Sequence, residues 1–158
     1  VLLAGGIGQE YSVTVVTGPE LVKGVYTVFP YACWPEKDVE GVKIMEKYFT
    51  LSKRRPTDKT LMYPVNFSGM LLVREVVSRT LDEAGGDWAK VDGPAVKAQF
   101  VKIKDFNPLG LTWYTFDADR MTPRKVRICQ FNEEGRLEPI TDWLECPDLR
   151  PDKYKLKK

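Results

Sequence analysis

The 158-residue sequence has no histidine. That removes the commonest general base and the commonest zinc ligand together. Cysteine is scarce: Cys33, Cys129 and Cys146 are the three present. No two of them stand at a chelating C-x-x-C spacing, so they make no metal pattern. Cys129 reads as a packed residue of a strand. Cys33 and Cys146 lie near turn-forming prolines and suit either one disulfide or free thiols. No apolar run approaches the roughly 20 residues that span a bilayer. No secretory signal is visible, which by itself says nothing about compartment. Strong charge of one sign is absent too, since the formal net charge is +2, and no nucleic-acid partner is expected. The basic clusters Lys53-Arg54-Arg55 and Lys155-Leu156-Lys157-Lys158 read as a solvated loop and a solvated tail.

What is present is ordinary globular composition, 43% hydrophobic and 29% charged, enough for one domain or for parts of two lobes. Val1-Leu2-Leu3-Ala4 is a continuous apolar run that empties into Gly5-Gly6, the pattern of a buried parallel strand. Such a strand needs neighbours and crossovers, so the chain is expected to begin in the middle of a fold. Residues 24–29 form a second β-rich run stopped by Pro30, and Tyr31-Ala32-Cys33-Trp34 follows as an extended aromatic connector.

Pro35 is placed to open a helix, with Glu36 and Asp38 in its first turn and Val39, Val42, Met45 and Phe49 on one face. Gly41 weakens that helix. The strongest helical pattern runs over 63–84, with Phe67, Met70, Leu71, Val73, Val77 and Leu81 at helical spacings and Gly85-Gly86 as its stop. Residues 93–101 form a weaker helix. After Asn107-Pro108-Leu109-Gly110 the period changes. Residues 111–116 are extended, and Asp117-Ala118-Asp119 is a polar turn. Residues 125–131 alternate Arg127, Cys129 and Phe131 against Val126, Ile128 and Gln130. Asn132-Glu133-Glu134-Gly135 turns the chain back into 136–140. Asp117, Asp119, Glu133 and Glu134 are the carboxylates nearest to a catalytic pattern, but no nucleophile and base accompany them. No enzyme, cofactor or metal site is expected.

This order of elements resembles the C-terminal portion of the type 1 periplasmic solute-binding proteins, in the branched-chain amino acid and amide branch that serves ABC transporters. Leu2-Leu3-Ala4-Gly5-Gly6 looks like the family's late strand and glycine turn, and Gly24-Val25-Tyr26 like its approach to a hinge strand. The helix from Tyr63 to the Gly85-Gly86 stop, the Phe106…Gly110-Leu111-Thr112 turn and the hairpin ending in Asp142-Trp143 follow in the family's sequence order.

The resemblance implies an α/β fold of two doubly wound lobes joined by a three-segment hinge, incomplete in this chain. Residues 1–25 would belong to the second lobe and 26–35 to a hinge crossing. Residues 36–110 would supply helices of the first lobe, 111–119 the return crossing, 120–144 the closing hairpin and 145–158 a tail. The first lobe's sheet would then lie in a missing N-terminal portion of the same protein, and its helices would leave apolar faces exposed.

The implied function is extracytoplasmic capture of a small carboxylate-bearing solute, an amino acid, amide or aromatic acid, for an ABC transporter permease. The implied location is periplasmic. Other readings are a part of a nucleotide- or sugar-phosphate-using α/β enzyme, or a sensor domain of the same fold.

Candidate ligand contacts follow from that frame. Gly5 and Gly6 form either a crevice-edge turn or a merely structural one, and lack a full phosphate-loop pattern. Amino acid binders of the family commonly place an acid after this turn to take the ligand's ammonium. Ile7 and Gly8 stand there instead, and Glu10 is the nearest acid. Tyr31 and Trp34 either wall the cleft or pack the hinge. Tyr63 and Asn66 start the long helix, where free N–H groups favour an anion, although Asn66 equally suits a helix cap.

Overall fold

The computed structural model describes residues 3–4, 11–117, 124–147 and 151, and only the backbone of residues 3, 4, 12 and 13. The expected binding residues Gly5, Gly6 and Glu10 lie outside them, as do Ile7, Gly8 and Asp119. Five strands form one mixed sheet: β1 (Leu3–Ala4), β2 (Tyr26–Phe29), β3 (Lys125–Phe131), β4 (Leu137–Pro139) and β5 (Leu144–Glu145). Its order is β1-β2-β3-β4, with β5 pairing the other end of β3. β1 runs parallel to β2, as its continuous apolar run predicts. β2 and β3 are antiparallel, with Thr27 opposite Cys129 and Phe29 opposite Arg127.

The alternation read from the sequence is present in β3, and burial shows which side meets the core. Arg127, Cys129 and Phe131 point inward and are buried. The Asn132-to-Gly135 turn closes the hairpin as expected. The Asn132 side-chain oxygen accepts the backbone N–H groups of Glu134 and Arg136 at 3.0 and 2.9 Å, and Gly135 takes a φ of 71°. Two short helices, α1 (Tyr11–Thr17) and α2 (Pro19–Val22), precede β2 and carry no strong sequence signal. Thr14 of α1 is fully buried, and its hydroxyl donates to the carbonyl of Gly135 at 3.0 Å. A Cβ on Gly135 would meet that hydroxyl at 3.2 Å, so a small residue lets α1 dock on the hairpin turn.

The helical layer contains α3 (Glu40–Leu51), α4 (Met62–Glu83) and α5 (Gly93–Phe100). α3 buries Val42, Met45 and Phe49, as its spacing predicts. It starts later than Pro35, however. Residues 33–39 form turns, with Glu36 N–H donating to Cys33 O and Val39 N–H to Glu36 O, both at 3.1 Å. Glu36 is engaged elsewhere, by Arg127 of β3, and does not decorate a helix N-terminus.

The inward stripe of α4 is Pro64, Ser68, Leu72, Val76 and Thr80, a strict four-residue step that includes two hydroxyls. Thr80 returns its hydroxyl to Val76 O at 2.8 Å, and Ser68 meets Tyr114 OH at 3.1 Å, so both are satisfied in the core. Met70 and Val73, expected on the buried face, are 68% and 47% exposed. With Met62, 50% exposed, they form an apolar strip on the other side of the helix. α5 is capped by Asp92, whose carboxylate accepts Ala95 N–H at 2.9 Å. Residues 111–116, expected to be extended throughout, begin with Leu111 in a helical conformation at the end of the 108–110 turn. Among the described residues they form no strand beyond the bridge between Phe106 and Tyr114.

Three apolar clusters hold the layers together. One, under the sheet, contains Phe29, Cys33, Leu61, Cys129, Phe131 and Leu137. A second joins the connector to α3 through Ala32, Trp34, Val42, Met45, Phe49 and Leu111. The third packs α4 on Ile103, Tyr114 and Phe116. The helix α3 reaches Leu111 so closely that Gly41 is required. A Cβ there would stand 2.3 Å from Leu111 Cγ.

Candidate ligand-binding cleft

A cleft of about 450 Å³ opens between the sheet and the helical layer, lined by Trp34, Pro35, Lys37, Lys59, Asn132, Glu134, Arg136 and Glu138. This is within the size range of small-molecule sites. It narrows inward between Tyr11, Leu61 and Leu137. Each wall comes from a different part of the chain. The connector supplies Trp34 and Lys37. The segment before α4 supplies Lys59, and the β3–β4 hairpin supplies the remaining polar groups.

Trp34 is buried and fixed. Its indole N–H donates to Thr60 O at 2.8 Å, and its ring meets Phe49 at 5.5 Å and Tyr63 at 5.2 Å between centroids. Lys59 Nζ lies 5.3 Å from the Trp34 centroid and 2.5 Å from a Glu46 carboxylate oxygen. Lys37 reaches the other Glu46 oxygen at 3.4 Å. Burial pushes the Glu46 carboxyl up, but hydrogen bonding to Lys59 and the charge of Lys37 outweigh it and hold the group below its ordinary range. Two of the cleft's cations therefore share one carboxylate, which offsets only one of their two charges.

Arg136 differs. Its guanidinium stacks 3.6 Å from the Tyr11 ring centroid and donates to Pro56 O at 3.3 Å. Among the described residues no carboxylate pairs with it. Across the turn, Glu138 accepts a hydrogen bond from the Asn132 amide at 2.7 Å, and Glu134 stands exposed at the rim. The cleft thus offers a half-buried cation still able to receive a carboxylate, with carboxylates a short way along the same hairpin.

Behind the cleft, Arg127 makes a two-pronged ion pair with Glu36, at 2.6 and 2.8 Å, and donates to Tyr31 O at 3.0 Å. The Arg127 and Glu36 side chains are only 7% and 17% exposed. This pair holds the connector against β3 and so fixes where Trp34 points.

Of the residues expected at the site, Trp34 borders the cleft. Tyr63 supports it from behind by stacking on Trp34 and Phe49. Tyr31 faces away, packed on Phe29 and beside Tyr114, where burial raises its phenol pKa. Asn66 is no cap. α4 begins at Met62 after Leu61, and Asn66 stands exposed in its second turn. Asp117 is bound by Lys104 and Arg124, and Glu133 by Lys23, which makes both structural ion pairs. Cys33 stands against Cys129, and not Cys146. Among the described residues no cluster of His, Cys, Asp or Glu suits a metal ion, and no helix is long and apolar enough to cross a membrane. Lys59 and Arg136 were missed by sequence reading. Their signal was a cation beside an aromatic or a turn, which is common on any surface.

No family model and no curated protein sequence matches the chain. Two solved structures do match in fold. One is of a branched-chain amino acid ABC transporter from Thermus thermophilus with bound valine, at a TM-score of 0.69 and 14% identity over 86% of this chain. The other is an ABC transporter substrate-binding protein from Aeropyrum pernix, at a TM-score of 0.64 and 22% identity over 94%. This chain spans 37% and 38% of their respective lengths. The chain therefore has the fold of a portion of a periplasmic binding protein, a little over a third of the two structures it matches.

Proposed function

We propose that the chain is part of an extracytoplasmic solute-binding component of an ABC transporter, and that its cleft receives the carboxylate of a small solute. The single observation that carries the ligand reading is Arg136. It is a guanidinium held in place by Tyr11 and by a backbone carbonyl, with no carboxylate of its own among the described residues. A planar fork of donors suits a carboxylate well. The likeness to two transporter-associated structures supports the role, and the valine bound in one of them supports the solute class.

On this reading residues 26–35 and 111–119 cross between lobes, and Trp34 walls the cleft from within the first crossing. Ligand held by both lobes in the closed state drives closure through its differential affinity. Gly5, Gly6 and Glu10 remain proposed contacts at the strand-end turn, and no bond is made or broken.

The test is a thermal-shift panel of branched-chain amino acids, amides and aromatic carboxylates on the full-length gene product. At least one carboxylate raises the melting temperature, and Arg136→Gln abolishes that shift, measured against the melting temperature of the unliganded variant itself. A shift by nucleotides with none by carboxylates would sink the reading in favour of an α/β enzyme. A carboxylate shift that survives Arg136→Gln would move the site elsewhere.

A further inference from the structure

Cys33 and Cys129 are 96 positions apart in the chain, yet their sulfur atoms lie 3.9 Å from each other. Both residues are fully buried. Neither position is accidental. Cys33 is held by its own N–H, which donates to Glu36, and Glu36 is gripped by Arg127 two residues before Cys129 on β3. Cys129 is fixed by its register opposite Thr27. The ion pair and the thiol pair are thus two adjacent ties between the same two segments.

The separation exceeds a bonded S–S length of roughly 2.05 Å, but the two thiols already face one another in an apolar pocket. We propose that Cys33 and Cys129 form a disulfide that fastens the connector to β3.

The two thiols are unequal. Hydrogen bonding from Cys33, helped by the Arg127 charge, lowers the Cys129 pKa despite its burial. The same hydrogen bond, together with burial, raises that of Cys33. That inequality lasts only while the connector is docked; in the opened state either cysteine can attack an external disulfide first, one route starting from Cys129. On that route Cys129 displaces one thiolate from a small external disulfide such as oxidised glutathione, leaving a mixed disulfide on Cys129. Cys33 then loses its proton to the released thiolate and attacks the Cys129 sulfur, expelling the second thiol. One external disulfide is reduced to two thiols, and two protein thiols are oxidised to one disulfide. Because both sulfurs are buried, exchange proceeds while the connector is undocked, during folding or a local opening.

The experiment uses the full chain incubated with oxidised glutathione, alkylated under denaturing conditions, digested and analysed by mass spectrometry. The expected product is a peptide pair joining Cys33 to Cys129, two hydrogens lighter than the reduced pair, with Cys146 alkylated. The oxidised protein melts higher than the reduced one by on the order of 10 °C, because the bridge closes a long loop. A Cys146→Ser variant gives the same cross-link and the same shift. Full alkylation of Cys33 and Cys129 after prolonged oxidation overturns the proposal. So does a bridge from Cys146 to either, or a melting temperature unchanged by the bridge.

Discussion

Replacing Gly41 by alanine sets two physical effects against each other, and the structure decides which wins. Helix propensity alone favours alanine over glycine by ~1 kcal/mol in a helix interior. Position 41 lies within the first turn of α3, so the gain there is at most that. Against it stands Leu111. The added methyl would lie 2.3 Å from its Cγ and 2.7 Å from both terminal carbons, whereas comfortable carbon contacts are roughly 3.5–4.0 Å.

The leucine cannot swing aside cheaply. It is fully buried among Val42, Met45 and Trp34, and its carbonyl accepts the Ala32 N–H at 2.7 Å. The clash also falls on its branch carbon, so a rotamer change at the tip does not relieve it. Overpacking of this kind costs about 1–3 kcal/mol, and the upper half applies here. The net expectation is a loss of about 1–2 kcal/mol. In urea denaturation followed by far-UV circular dichroism, that lowers the midpoint by roughly 0.5–1 M at an m-value of about 2 kcal/mol/M. Leu111→Ala is itself destabilising, but it removes all three clashing carbons. The double variant should therefore be more stable than the sum of the two losses by about 2–3 kcal/mol, the whole of the overpacking cost. A Gly41→Ala protein with a raised midpoint, or strict additivity with Leu111→Ala, would refute the reasoning.

The other expectations concern charge. Glu36→Gln should cost about 3 kcal/mol, because it leaves Arg127 buried without its counter-charge. The Glu36→Met, Arg127→Met double variant should recover much of that loss, and equal midpoints for single and double variants would contradict a buried-charge penalty. Glu46 titrates below its ordinary value of 4.5 in the folded protein. A depressed carboxyl contributes stability that is complete above the unfolded value and is lost as pH falls through the folded one. The urea midpoint of the native protein should therefore exceed that of Glu46→Gln at pH 6, and the gap should close below about pH 4. A gap that widens on acidification would mean that Lys37 and Lys59 do not hold this carboxylate.

Local pattern was most legible where one period dominates. The alternation over 125–131 set Arg127, Cys129 and Phe131 on one face without saying which face is buried, and the Asn132–Gly135 turn could be read from its residues alone. The Val42, Met45 and Phe49 face of α3 was equally plain. The start of α3 was not. Proline followed by acids is an N-terminal helix signature, but it is also a turn, and what decided between them was Arg127, 91 residues away. α4 was found, yet its inward stripe was misjudged. It is apolar on two sides, and periodicity alone cannot say which side meets the core when Ser68 and Thr80 can be satisfied inside. The cleft was the least legible part. Trp34 stood out as an aromatic beside a proline, but Arg136 became a candidate only when α1 docked on Gly135 and brought Tyr11 beneath its guanidinium.

The placement of Arg127 has a consequence for how β3 finds its partners. Side chains of a strand alternate in direction, so a slip of one residue along β2 would turn Cys129 and Phe131 outward and Val126, Ile128 and Gln130 inward. Hydrophobicity alone would oppose that slip weakly, because Val126 and Ile128 are themselves apolar. Charge opposes it strongly, since the slipped strand would carry Arg127 into solvent and strand Glu36 beside a greasy wall. A single ion pair can thereby act as a proofreader of strand alignment, rejecting a misthreaded sheet that its aliphatic neighbours would tolerate.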